Sequence, residues 1–135
     1  MYPTSTDAED AFYRSFEGGD LAAMMAVWAE EGCVCIHPGG ERIEGRPAVE
    51  RSWRELFANE ARLRFELAAR RSTVQGDLAV HSLQERIHVD GQLRGVMLAT
   101  NVYRRVDGGW CLLVHHASPD PAARRAPAPR DQPLH

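Results

Sequence analysis

No apolar run in this 135-residue chain approaches the roughly 20 residues a membrane-spanning helix needs. The opening MYPTSTDAED is too polar for a secretory leader, so a cytoplasmic protein without a membrane partner is expected. Strong charge is missing too: the net charge is -3 with no basic stripe, which argues against nucleic acid. Cysteine is scarce and odd in number. Cys33, Cys35 and Cys111 predict the reduced thiols of a bacterial-type cytoplasm rather than a disulfide framework. Cys33-Val34-Cys35-Ile36-His37 hints at a metal, but on a strand its ends lie about 13 Å apart, too far for one ion. Gly18-Gly19 and Gly39-Gly40 match no phosphate or dinucleotide fingerprint, and no Ser-His-Asp or Cys-His nucleophile pattern emerges. No cofactor and no metal are expected. A two-histidine, one-carboxylate set of His37, His116 and Glu85 would require all three to face one cavity.

What is present reads as one domain over residues 1–118, followed by a tail over 119–135 that holds five of the eight prolines. Thr6 to Glu17 predicts an amphipathic helix with Ala8, Ala11, Phe12, Ser15 and Phe16 on one stripe. Thr6 and Glu9 have the spacing of a capping box, and Gly18-Gly19 supplies the stop. Asp20 caps a second helix through about Ala29. Cys33 to His37 reads as a short strand closed by Pro38-Gly39-Gly40. Pro47 sits near the first turn of a third helix whose inner face is Val49, Trp53, Leu56 and Phe57.

From about Ala61 the apolar period changes from 3.6 to 2. Turns at Gln75-Gly76-Asp77, Asp90-Gly91 and Asp107-Gly108-Gly109 then define a four-stranded antiparallel meander. The fold class is therefore α+β, with three N-terminal helices packed on one face of a strongly curved antiparallel sheet. Val96, Leu98, Thr100 and Val102 make the other face partly apolar, which predicts a homodimer through the outer sheet face.

Polar residues interrupt the last hairpin. By strict alternation Trp110, Leu112, Val114, His116 and Ser118 share a face, with His115 on the other. Asn101 is mid-strand, and Glu85 shares a face with His81, Leu83 and Ile87, where it would pair with His116. Buried amides and imidazoles need partners, so these residues predict a polar-tipped pocket.

FYRSFEGGDLAAMMAVWAEEGCVCIHPGG at the start and ATNVYRRVDGGWCLLVHHAS at the end resemble the SnoaL-like domains of the nuclear transport factor 2-like superfamily. The resemblance covers about residues 6–118 and implies a cystatin-like, cone-shaped fold. Set on the ketosteroid isomerases of that build, it places their general-base aspartate on His37 before Pro38. Their protonated aspartate falls on Asn101, and their first-helix tyrosine on Phe12, with Tyr13 adjacent. Two polar roles are thus altered and one is lost, which argues against steroid isomerisation by that two-donor mechanism.

The expected function is binding of a small, flat organic molecule in a pocket walled by Phe12, Phe16, Trp28, Trp53, Leu83 and Val114. Ser118, His37, Glu85, Asn101 and His116 would be its polar tips. Cofactor-free acid–base chemistry of isomerase, cyclase or dehydratase type extends that reading. His37 would act as base, Asn101 would steady the oxyanion, and His116 held by Glu85 would return the proton. The alternative is a non-catalytic ligand-binding or dimerisation module of the same fold.

Overall fold

The computed structural model describes residues 1–59 and 62–123; most of the expected tail, residues 124–135, lies outside them. The elements are α1 (Ser5–Gly18), α2 (Leu21–Val27), β1 (Val34–Ile36), β2 (Ile43–Glu44), α3 (Arg46–Phe57), β3 (Leu63–Gln75), β4 (Leu78–Val89), β5 (Gln92–Val106) and β6 (Gly109–Pro119). Three helices pack on a six-stranded sheet of order β2-β1-β6-β5-β4-β3. The four long strands form the expected meander. The sequence reading missed β2, two residues too short to show a period. It also missed the junction β2 supports, where β1 pairs antiparallel with β2 and parallel with β6. Among the described residues no helix is long and apolar enough to cross a membrane.

Local chemistry sets the helix ends. Thr4, not Thr6, is the N-cap of α1, its side chain accepting from the Asp7 N–H at 3.0 Å. Glu9 is therefore not a capping-box partner. Asp20 caps α2 as expected, accepting from Ala23 N–H at 3.0 Å, although α2 stops at Val27 rather than Ala29. Pro47 lies in the first turn of α3. The Arg46 guanidinium turns back to donate to the carbonyls of Met25 at 2.7 Å and Trp28 at 2.9 Å. It thereby satisfies carbonyls that the end of α2 leaves open.

The helices cover the sheet's inner face. Ala79, His81, Leu83, Glu85 and Ile87 of β4 are buried there, as are Met97, Ala99, Asn101 and Tyr103 of β5. Two bulges re-aim the neighbouring strands. In β6, Leu113 is an extra residue between the pairs Tyr103↔Leu112 and Val102↔Val114, which reverses the alternation beyond it. In β3, an extra residue falls between Ala68 and Arg71, and Ala69 there has φ 51°. That left-handed conformation is uncommon for a residue with a Cβ.

Candidate functional site

Four-residue spacing puts Ser5, Glu9 and Tyr13 on one stripe of α1, all buried against β4 and β5. The strands answer with His81, Glu85, Asn101, Tyr103 and, past the β6 bulge, His115. Glu9 is the hub. Its Oε1 meets the Arg70 guanidinium at 2.9 Å. Its Oε2 accepts from Tyr103 Oη at 3.0 Å and Asn101 Nδ2 at 3.2 Å, and lies 3.1 Å from His81 Nδ1. The other His81 nitrogen is 2.9 Å from Ser5 Oγ. Asn101 Nδ2 also donates to Tyr13 Oη at 3.1 Å, and Tyr13 donates to Glu85 Oε2 at 2.6 Å. Asn101 Oδ1 faces His115 Nδ1 at 2.6 Å.

A carboxylate removed from water is costly unless hydrogen bonds and opposite charge replace the solvent. At Glu9 burial by itself raises the pKa. The hydrogen bond and charge of His81, then the bonds from Asn101 and Tyr103, outweigh it, and the net shift is downward. Glu9 is thus ionised at neutral pH. Tyr13 moves well upward, chiefly through burial and then through the charge and hydrogen bond of Glu85. Tyr103 moves the same way, through burial and then Glu9. Both remain neutral phenols that donate.

The network reaches solvent at a cleft of about 90 Å³ lined by Thr6, Glu9, Arg70, Arg71, Ser72 and His81. The β3 bulge delivers Arg70 to this cleft, where it also pairs with Asp10 at 3.5 Å. Deeper in, Phe12 is the centre of a ring cluster, 4.8 Å from Tyr13 and from His115, 5.6 Å from Trp53 and 6.4 Å from Trp28. Phe16 lies 4.8 Å from Trp53. A family model for the SnoaL-like domain matches residues 6–123.

The chain belongs to the SnoaL-like family.

Its solved relatives share the fold and differ in what they are said to do. A protein of Thiobacillus denitrificans is provisionally described as a calcium/calmodulin-dependent protein kinase type II association domain. It is 40% identical, with a TM-score of 0.80 over 89% of this chain and 98% of that one. A nuclear transport factor 2-like protein of Streptomyces avermitilis, provisionally described as a dehydratase, is 36% identical. Its TM-score is 0.77 over 84% of this chain and 91% of that one. The F-box protein SKIP8 of Arabidopsis thaliana is 32% identical over 108 residues, which are 79% of this chain. The match spans 46% of SKIP8, about half its length.

In this SnoaL-like chain the expected polar tips are redistributed. His116 and Ser118 do not face inward: both are exposed, and Val114 is part-exposed beside Val102. His115 and Ala117 take the inner positions because the Leu113 bulge shifts the alternation by one. Glu85 does face in, as expected, but its partner is Tyr13 rather than His116. The set His37, His116 and Glu85 is not brought together, since Glu85 and His116 lie on opposite faces of the sheet. Asn101 is buried at the junction of the network.

His37 is part-buried, in edge contact with Trp53 at 4.9 Å, with Nε2 3.2 Å from Ser52 Oγ and 3.6 Å from Cys35 Sγ. Burial pushes the Cys35 thiol strongly upward, so it remains protonated. The expected walls Phe12, Phe16, Trp28, Trp53 and Leu83 are all buried.

Sequence reasoning read Glu9 as a capping-box residue and His115 as outward-facing, and named neither of them, nor Tyr13, Arg70 or Tyr103, as a site residue. The spacing Ser5, Glu9, Tyr13, one position from the stripe Ala8, Phe12, Phe16, carried the signal for the first two. The capping-box reading of Glu9 masked it.

Proposed function

We propose that this SnoaL-like chain binds a small, flat organic molecule and moves protons on it without a cofactor. The observation that carries the reading is the line Glu85–Tyr13–Asn101–His115, hydrogen-bonded at 2.6, 3.1 and 2.6 Å and set against the Phe12–Trp53 rings. Aromatic walls suit a flat ligand, and a neutral imidazole held by a hydrogen-bonded amide provides a proton acceptor. Isomerisation, cyclisation or dehydration beside a carbonyl begins with such a base. The dehydratase description of the 36% identical relative favours the last of these. His37, touching Trp53, is the second imidazole of the site.

The test is native mass spectrometry of the purified protein, followed by binding of flat cyclic ketones and enols across pH 5–8. A bound organic adduct, with affinity or turnover that titrates near neutrality and changes in His115→Gln, supports the reading. An empty protein that ignores every such ligand at all pH values overturns it.

A second reading, an assembly module, has its own observation. Leu78, Val80, Leu98 and Val106 on the outer sheet face are 45–48% exposed. Covering such a face with a second copy of the chain, a homodimer through the outer sheet, removes apolar area from water. The 40% identical relative described as an association domain favours it. Sedimentation of the wild type and of Leu98→Lys checks it: a dimer that the lysine converts to monomer supports the interface. A wild-type monomer rejects it.

A further inference from the structure

We infer that Glu9, acting through Asn101, holds His115 in its Nδ1–H tautomer, so that the lone pair of the neutral ring lies on Nε2. The inference deepens the acid–base reading by naming the nitrogen that serves a ligand. The tautomer itself follows from protein groups alone and can be checked without any ligand.

The direction of each hydrogen bond follows from the one before it. Glu9 is held by Arg70 at 2.9 Å on one oxygen and by Tyr103 and Asn101 on the other, so as a carboxylate it only accepts. Asn101 must therefore present its NH2 group to Glu9. Turning the amide over would set Oδ1 against a carboxylate oxygen. The second amide hydrogen goes to Tyr13 Oη, whose own hydrogen is directed to Glu85 Oε2 at 2.6 Å.

The amide oxygen is then left facing His115 Nδ1 at 2.6 Å. It carries no hydrogen, so the imidazole must supply one. Whatever group meets Nε2 of the neutral ring does so as a donor. A hydroxyl, an N–H or an acidic C–H of a bound molecule fits that requirement, and a bare carbonyl does not. Glu9 is a positioning residue here, acting on β6 from α1.

His37 gives an internal control. Its Nε2 lies 3.2 Å from Ser52 Oγ and 3.6 Å from Cys35 Sγ, neither of which belongs to the Glu9 network, so its signals report on the fold and not on Glu9.

Long-range 1H–15N correlation spectra of uniformly labelled protein distinguish the two tautomers directly, with His115→Gln and His37→Gln used for assignment. At a pH where the ring is neutral, the expected wild-type result is Nδ1–H for His115. An Nε2–H His115, or an even mixture, overturns the inference whether or not a ligand is ever found. Glu9→Gln, which keeps the shape and removes the charge, should lower the His115 tautomer ratio about tenfold, the effect of losing one ordinary hydrogen bond. His37 should be unchanged in that variant. A His115 that stays wholly Nδ1–H there removes Glu9 as the anchor. Should Glu9→Gln fail to fold, the wild-type assignment still decides the tautomer.

Discussion

Helix α1 carries two kinds of interior side by side. The stripe Ala8, Phe12, Phe16 is wholly apolar and meets Trp28 and Trp53 through ring edges. The stripe Ser5, Glu9, Tyr13, one residue round the helix, is hydrogen-bonded to strands β4 and β5. Both are equally buried, yet the first is held by area and dispersion, which have no direction. The second is held by donors and acceptors that fit in one arrangement. The polar stripe fixes which proton sits where, the property a chemical site needs.

The largest effect is expected on the apolar side. Phe12→Ala removes the ring touching Tyr13, Phe16, Trp28, Trp53 and His115, and should cost about 4 kcal/mol of unfolding free energy. Urea unfolding measures it. A loss below about 1 kcal/mol, ordinary for any substitution, would mean the rings are not packed as described.

Glu9→Gln comes next, at about 3 kcal/mol near neutral pH, because Arg70 and His81 lose their ionised partner. Its pH dependence separates it from Phe12→Ala. A carboxyl whose folded pKa is depressed binds fewer protons in the folded state than in the unfolded one. Its stabilisation is complete above the unfolded carboxyl pKa and is lost as pH falls through the folded value. The gap between wild type and Glu9→Gln should therefore narrow on acidification, while the gap for Phe12→Ala stays level. Parallel acid limbs for all three proteins would show that Glu9 contributes no charge.

Tyr13→Phe should cost about 2 kcal/mol, the scale of a hydrogen bond to a charged group. Here the linkage runs the other way. The folded phenol has a raised pKa, so its contribution is complete below the unfolded tyrosine value and is lost as pH rises through the folded one. Alkaline unfolding of Tyr13→Phe should accordingly be less steep than that of the wild type. An unchanged alkaline slope would remove Tyr13 from the buried network.

These two stripes were not equally legible. Apolar periodicity placed Phe12, Phe16, Trp28 and Trp53 inside, and the turn residues placed the three junctions between the four long strands. The facing of Glu85 was readable because β4 keeps its register from Leu78 to Ile87. His115 was not readable, because alternation counted from Trp110 assumes no extra residue and Leu113 is one. A bulge at a leucine inside an apolar strand leaves no mark in the sequence. Arg70 was hidden for the same reason: the β3 bulge beside Ala69 decides its direction, and neither residue is a glycine that would announce it.

The smallest effect concerns where α1 starts, which decides whether Glu9 belongs to the cap or to the interior. With Thr4 as N-cap, Thr4→Ala removes the acceptor of the Asp7 N–H and should cost about 1 kcal/mol. Thr6, exposed in the first turn, should change stability by no more than about 0.5 kcal/mol on replacement by alanine. Urea midpoints of the two variants, side by side, test the order. Had Thr6 been the cap, Glu9 would face back toward the helix start, and the costs would be reversed. The order Thr4 above Thr6 is thus a measurement on two exposed threonines that reports where a buried carboxylate points.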